Sequence, residues 1–277
     1  SNTIQKTRNS FYTSLRRCVV SHISFSELKI WSECPFKHKV IYIDKQKGFT
    51  GNEFTAFGSS IHALCENAIQ DQIEESDYDE FFNLHFEKEL ERLGEDHERR
   101  EDLITEMRVQ AKTLSPQIIP AMKEVFGDFT VVSVEEKLYE KIMNFSLDKL
   151  VFKGYIDLVI KTTDGKYHVI DWKTCSWGWD REKKNSKLIT YQLTLYKKFF
   201  CQKHNIDPSL VETHFALLKR TAKKDNVEVF RVTSGPKKTA NATDLLHKAL
   251  LNIDRKMYIK NRLSCKGCDF YKSAACP

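Results

Sequence analysis

The chain has 277 residues, of which 41% are hydrophobic and 30% charged, the composition of an ordinary globular protein with enough apolar residues for a sizeable core. Its net charge of +6 suits a polyanionic partner without requiring one. No run of 18 apolar residues exists and the N-terminus lacks a charged-then-apolar export pattern. A membrane span and secretion are therefore not expected. Eight cysteines without an export signal point to a reducing, cytoplasmic compartment, where thiols are free or bind metal.

In chain order, residues 22–43 predict a short helix, capped by Ser24 or Ser26 and broken at Pro35, with Leu28 and Trp31 on its apolar side. Residues 53–71 predict a helix with Phe57, Ile61, Leu64 and Ala68 as its core stripe, and Gly58 and His62 one turn apart on another flank. Residues 72–125 are charge-dense and helical. Their acidic and alternating-sign runs read as solvated faces, and Met107, Leu114, Ile118, Ile119, Met122 and Phe126 mark a core-facing helix near their end. Strand texture starts at 129, where Glu135 and Glu136 read as surface acids.

Residues 150–175 predict a β-hairpin. Both arms are rich in Val, Ile, Tyr and Phe, and Thr163-Asp164-Gly165 between them suits a three-residue loop with positive φ at the glycine. That loop sets Thr162 opposite Lys166 and Asp157 opposite Asp171, with Lys173 on the same face. A two-residue loop would split the acids between faces. Two carboxylates that close repel unless a cation lies between them, and Mg²⁺ or Mn²⁺ is the oxygen-seeking choice. The alternative is a hairpin carrying two solvated acids.

The segment 176–187 is expected to be a loop in which Trp177 and Trp179 are interleaved with Arg181, Lys183, Lys184 and Lys187. Such a loop suits stacking on unpaired bases and pairing with phosphates, unless the tryptophans pack beneath it. A helix over 188–203 places Gln192 and Tyr196 one turn apart. Strands over 213–219 and 227–233 flank a basic turn containing Lys219, Arg220, Lys223 and Lys224, and a helix over 239–258 follows. This order fits an α/β fold with a mixed central sheet flanked by helices, as one domain with a helical insertion.

The tail carries Cys265, Cys268 and Cys276. A Cys-x-x-Cys with a third cysteine close by reads as a metal site one thiolate short of four, with free thiols as the alternative. Cys18, Cys65, Cys175 and Cys201 have no metal-like spacing.

Taken together, Gly154-Tyr-Ile-Asp157, Asp171-Trp-Lys173 and Gln192-Leu-Thr-Leu-Tyr196 resemble the PD-(D/E)XK nuclease superfamily, in particular its RecB-like branch, which includes CRISPR-associated RecB-like nucleases. Gly58-Ser-Ser-Ile-His62 resembles that branch's glycine-to-histidine helix motif, and Ser26-x-x-x-x-Trp31-x-x-Cys34-Pro35 its opening signature. The resemblance implies a restriction-endonuclease-like core and Mg²⁺- or Mn²⁺-dependent hydrolysis of DNA, acting as an exonuclease on single strands or ends. It implies metal ligation by His62, Asp157, Asp171 and the Trp172 carbonyl, with Lys173 beside them. Gln192 and Tyr196 would position the strand and the metal-site residues, and Trp177, Trp179, Lys183, Lys184, Lys187, Lys219 and Arg220 would contact nucleic acid. It further implies a four-iron–four-sulfur cluster on Cys34, Cys265, Cys268 and Cys276, although the seven-residue last gap exceeds the five expected. Zinc in a Cys₄ site is the rival. Recombination, phage or CRISPR proteins are the implied protein partners. A non-catalytic nucleic-acid-binding or assembly protein of the same fold is the alternative function.

Overall fold

The computed structural model describes residues 21–143 and 150–277, so Cys18 lies outside the described residues. A short strand β1 (His22–Ser24) leads into α1 (Phe25–Glu33), where the Ser24 hydroxyl accepts from the Glu27 amide, and Pro35 starts α2 (Pro35–His38). Helix α3 (Glu53–Ile69) opens on a capping box between Asn52 and Thr55. Then come α4 (Tyr78–Glu91), α5 (Glu101–Leu114) and α6 (Ile118–Phe126). The single core-facing helix expected near 106–126 is in fact two. Ser115-Pro116-Gln117 form a 3₁₀ turn, because a proline there has no amide for the α-ladder.

The strands β2 (Phe129–Lys141), β3 (Val151–Thr162) and β4 (Tyr167–Cys175) are followed by α7 (Arg181–Asn185) and α8 (Lys187–His204). Next are β5 (Val211–Lys219), β6 (Val227–Val232) and α9 (Pro236–Asp254). The sheet is mixed, in the order β1-β3-β4-β5-β6 with β2 also on β3. β1–β3 and β4–β5 are parallel, and the other pairs antiparallel. Helices cover both faces. Phe25, Leu28 and Trp31 of α1, with residues of α8 and α9, build one core, and α3 to α6 build the other.

The predicted hairpin forms with the expected register. The Thr162 amide donates to the Lys166 carbonyl at 3.0 Å, Gly165 takes φ of 85°, and the ladder runs from Lys161↔Tyr167 to Leu158↔Ile170. The ladder stops one residue short of Asp157. One edge of β3 is paired with β2 at every position from 151 to 162 except Asp157. The other is shared by β1, over Val151–Lys153, and β4, from Leu158 onward, which leaves 154–157 open between them. Side-chain alternation also breaks there. Ile156 joins the α8 core whereas Leu158 joins the α3–α6 core, although residues two apart on a regular strand share a face. In register opposite Asp157 on β2 stands Glu135, whose φ of 50° is rare for a residue other than glycine.

Candidate active site

Asp157 sits in this opening, where β4 and α3 both reach it. From β4 the Trp172 amide donates to Asp157 Oδ2 at 2.7 Å, and from α3 the His62 Nδ1 lies 4.0 Å from the same oxygen. Asp171 is buried, with Lys173 Nζ 2.7 Å from its Oδ2 and Gln192 Nε2 of α8 donating to its Oδ1 at 2.8 Å. Gln192 also donates to the Tyr196 hydroxyl at 3.3 Å. Gly154 is required here: a Cβ on it would stand 2.9 Å from the Tyr196 ring. Gly58 meets no such limit, since a Cβ there would make only an ordinary contact with Thr174 Oγ1.

The electrostatics follow from burial. Desolvation, and then the charge of Asp171, hold the Asp157 carboxyl well above the usual carboxylate range, and burial raises Asp171 against the pull of Lys173. Burial alone would lower Lys173, but Asp171 and Asp157 outweigh it and keep the ammonium charged. His62 is pushed down to about 4 by burial and by Lys173, so its ring is neutral at pH 7 and offers a lone pair. Two buried acids that resist ionising and one neutral imidazole form a donor set whose full ionisation a bound cation would favour. Nitrogen and oxygen ligands of this kind fit a divalent ion.

Two further acids face the same place. Glu66 lies one turn beyond His62 on α3 and is raised to about 7 by burial and by Glu135. The charge of Glu135 also raises Asp157. The spacing His62-x-x-x-Glu66 was the available signal for the first. For Glu135 nothing in the sequence told it apart from Glu136, which is partly buried and paired with Lys203 and His204.

The nucleic-acid-binding expectations divide. Trp177 is 70% exposed and Lys183 and Lys187 are exposed. Trp179 instead packs edge-on against Phe215 and Phe230, because these aromatics leave a slot beside β5 and β6 that the indole fills. Lys184 and Lys219 both pair with Glu228. Arg220 is buried, donates to Gln110 and Ser176 and lies over Phe54 and Phe57. It is a structural residue and not a phosphate contact. The expected 176–187 loop contains α7, with Asp180 accepting from the Lys183 amide at 2.7 Å.

At the other end of the fold, Cys34, Cys265, Cys268 and Cys276 line one small cavity, and none is in a disulfide. The tail is also tied there by ordinary bonds. The Asn261 amide donates to Cys34 Sγ, its side chain to the Glu33 carbonyl, and the Phe36 amide to the Ile259 carbonyl.

A mixed sheet covered by helices on both faces, with paired acids and a lysine at the opening of its central strands, defines the class of metal-dependent nuclease folds. The sequence pattern of the PD-(D/E)XK nuclease superfamily matches residues 22–277, and the chain belongs to that superfamily. Among solved structures, an exonuclease candidate from Eubacterium rectale is similar in fold, with a TM-score of 0.57 and 12% identity over 96% of this chain and 91% of that one. A second structure, SSO0001, overlaps with a TM-score of 0.41 and 14% identity over 90% of this chain and 84% of that one, too weak a likeness to argue from. No curated protein matches the chain. Among the described residues, no helix is long and apolar enough to cross a membrane.

Proposed function

We propose that the chain is a Mg²⁺- or Mn²⁺-dependent deoxyribonuclease of the RecB-like branch, forming one nuclease domain over residues 1–277 and working as an exonuclease on single-stranded DNA or DNA ends. The observation that carries this reading is the convergence of His62, Asp157, Asp171 and Lys173 at the opening between β1 and β4, with Gln192 fastened to Asp171 behind them. A binding protein has no use for buried acids aimed at a polyanion. A catalyst does, because they hold a divalent ion against the phosphate.

His62, Asp157, Asp171 and the Trp172 carbonyl would hold the ion, which supplies Lewis acidity and lowers the pKa of water. Asp157 is oriented for this by the Trp172 amide, and Asp171 by Gln192. Lys173, held charged by Asp171 and Asp157, would place a positive charge at the scissile phosphate and help position or deprotonate the attacking water. Trp177, exposed beyond the end of β4, would stack on an unpaired base.

The four thiols around one cavity support a four-iron–four-sulfur cluster that joins the N-terminal helices to the tail, with zinc the competing occupant. The test of the whole reading is digestion of end-labelled linear and circular DNA, single- and double-stranded, with Mg²⁺, Mn²⁺ or chelator. Metal-dependent release of nucleotides from linear single strands is expected. Loss of circular substrates at the same rate would make it an endonuclease, and no cleavage of any substrate would sink the enzyme reading.

A further inference from the structure

A second group of ligand-type side chains lies at the start of β4 and β5. His168 and Glu212 are cross-strand partners, and His214 stands two residues beyond Glu212, so all three project from one face of the sheet. That face is the one covered by α3 to α6, opposite to the face of Asp171 and Lys173. One ligand atom from each of the three lies within 4.8 Å of the other two. Both histidines are nearly inaccessible, at 6% and 5% exposure, beneath the ring of Phe126, which packs on both.

Hydrogen bonding determines where the His168 proton sits. The Thr162 hydroxyl donates to Asp164 Oδ1 at 2.5 Å, so it can only accept from His168, whose Nε2 lies 3.0 Å away. The lone pair is then on His168 Nδ1, which is buried, has no hydrogen-bond partner, and faces Glu212 Oε2 at 3.9 Å. His214 Nδ1 is likewise buried without a hydrogen-bond partner. A buried imidazole lone pair facing a carboxylate oxygen is unfavourable unless a cation lies between them. Lys166 and Arg231 reach the other oxygen, Oε1, at 3.1 and 3.5 Å, and Lys166 is partly and Arg231 largely exposed, so solvent weakens their pull.

We infer that His168, Glu212 and His214 form a separate site for a zinc-class divalent ion, with Thr162 as the hydrogen-bond partner that orients His168. Two imidazoles and one carboxylate are a zinc-type donor set, whereas Mg²⁺ prefers oxygen alone. Zinc bonds of about 2.0–2.2 Å put ligand atoms roughly 3.4 Å apart, so the present spacing closes with small side-chain movements. His168 is three residues from Asp171 on the opposite face, roughly 10 Å along the strand, and the inference does not rest on the nuclease reading.

The test is metal retention by the full chain. Wild type, His214→Gln and Glu212→Gln would each be stripped with chelator, dialysed against Zn²⁺ and then against buffer, and analysed for zinc per chain. Circular dichroism would check the fold. Wild type is expected to retain one equivalent more than either variant. Repeating the comparison with Co²⁺ separates this ion from any held by the cysteines, because thiolate ligation adds intense near-ultraviolet bands that both variants should keep. Should His214→Gln fail to fold, Glu212→Gln decides alone, since Glu212 lies at the more open edge of the group. Equal zinc content in wild type and the folded variants would overturn the site.

Discussion

Gln192 Nε2 donates to Asp171 Oδ1 at 2.8 Å, and this one bond joins helix α8 to the acid at the centre of the candidate site. Among the described residues, Asp171 is otherwise held by the flexible ammonium of Lys173. Gln192→Ala should leave the fold intact, since Gln192 is only partly buried, but free the carboxylate to rotate. Groups that orient metal ligands typically change affinity or activity by about 10–100-fold. We expect a loss of that size in Mg²⁺-dependent cleavage, accompanied by a higher Mg²⁺ requirement. A variant with an unchanged metal requirement would mean that Gln192 serves packing alone.

Asp171→Asn is expected to abolish cleavage while DNA binding holds or tightens, because under the proposed function it removes both a metal ligand and a negative charge facing the phosphate. Lys173→Ala should also stop cleavage, yet metal affinity measured by calorimetry should not fall, since the ammonium opposes cation binding. A large fall would show that Lys173 organises the acids themselves.

Much of this site was legible in the sequence because it depends on local geometry. Gly165 dictates the hairpin loop, the loop dictates the register, and the register brings Asp157 toward Asp171. The residues that were misread depend on distant partners. Arg220 and Lys219 are adjacent cations in one basic turn, but Arg220 meets Phe54 and Phe57 from α3, and no local pattern announces that. Trp177 and Trp179 differ in the same way, since only Trp179 faces Phe215 and Phe230. The pairing of β1 with β3 joins His22 to Val151 across most of the N-terminal half. Glu135 became significant only once the break in alternation at Asp157 was visible.

The two tryptophans therefore make opposite predictions. Trp177→Ala should weaken single-strand binding by about 1–3 kcal/mol, the range for loss of one base stack, without altering thermal stability. Trp179→Ala should cost about 3 kcal/mol of stability, as removal of packed aromatics does, before any effect on binding. Fluorescence titration with oligonucleotide and thermal melts of both variants check the pair. Loss of stability in the first and loss of binding alone in the second would reverse the assignment.

In metal-free protein Glu66 should cost stability as pH rises from 5 to 8, while burial of His62, His168 and His214, whose values are lowered, acts in the opposite sense below about 6.5. Glu66 is raised to about 7 by burial and by Glu135, above the ordinary glutamate value of 4.5 that applies when unfolded. Between those values the folded state binds the proton better at Glu66, so this group's contribution falls with rising pH across that window and levels off above about 7. Glu66→Gln cannot ionise and should remove that contribution, so its gain in Tm over wild type should grow with pH and be largest at pH 8. Melts in chelator at pH 5, 7 and 8 read this directly, and parallel slopes for wild type and variant would remove Glu66 from the acidic group.

The cysteine cavity gives the last prediction. If Cys34, Cys265, Cys268 and Cys276 hold an iron–sulfur cluster, protein purified without oxygen should be brown, with visible absorption that bleaches on reduction. Iron and sulfide should each approach about four per chain. Cys268→Ala should lose the colour and part of the stability together, because cluster binding is coupled to holding residue 34 against the tail. The loss should be incomplete. The bonds from Asn261 to Cys34 and Glu33, and from the Phe36 amide to Ile259, join the same two segments without any ion. Cleavage should then fall only as far as the folded fraction falls, since none of the four cysteines contacts Asp157, Asp171 or Lys173. Colourless anaerobic protein with one zinc per chain, retained by His214→Gln but lost in Cys268→Ala, would replace the cluster with a Cys₄ zinc site. Folded protein with four titratable thiols and neither metal would leave the tail held by its hydrogen bonds alone.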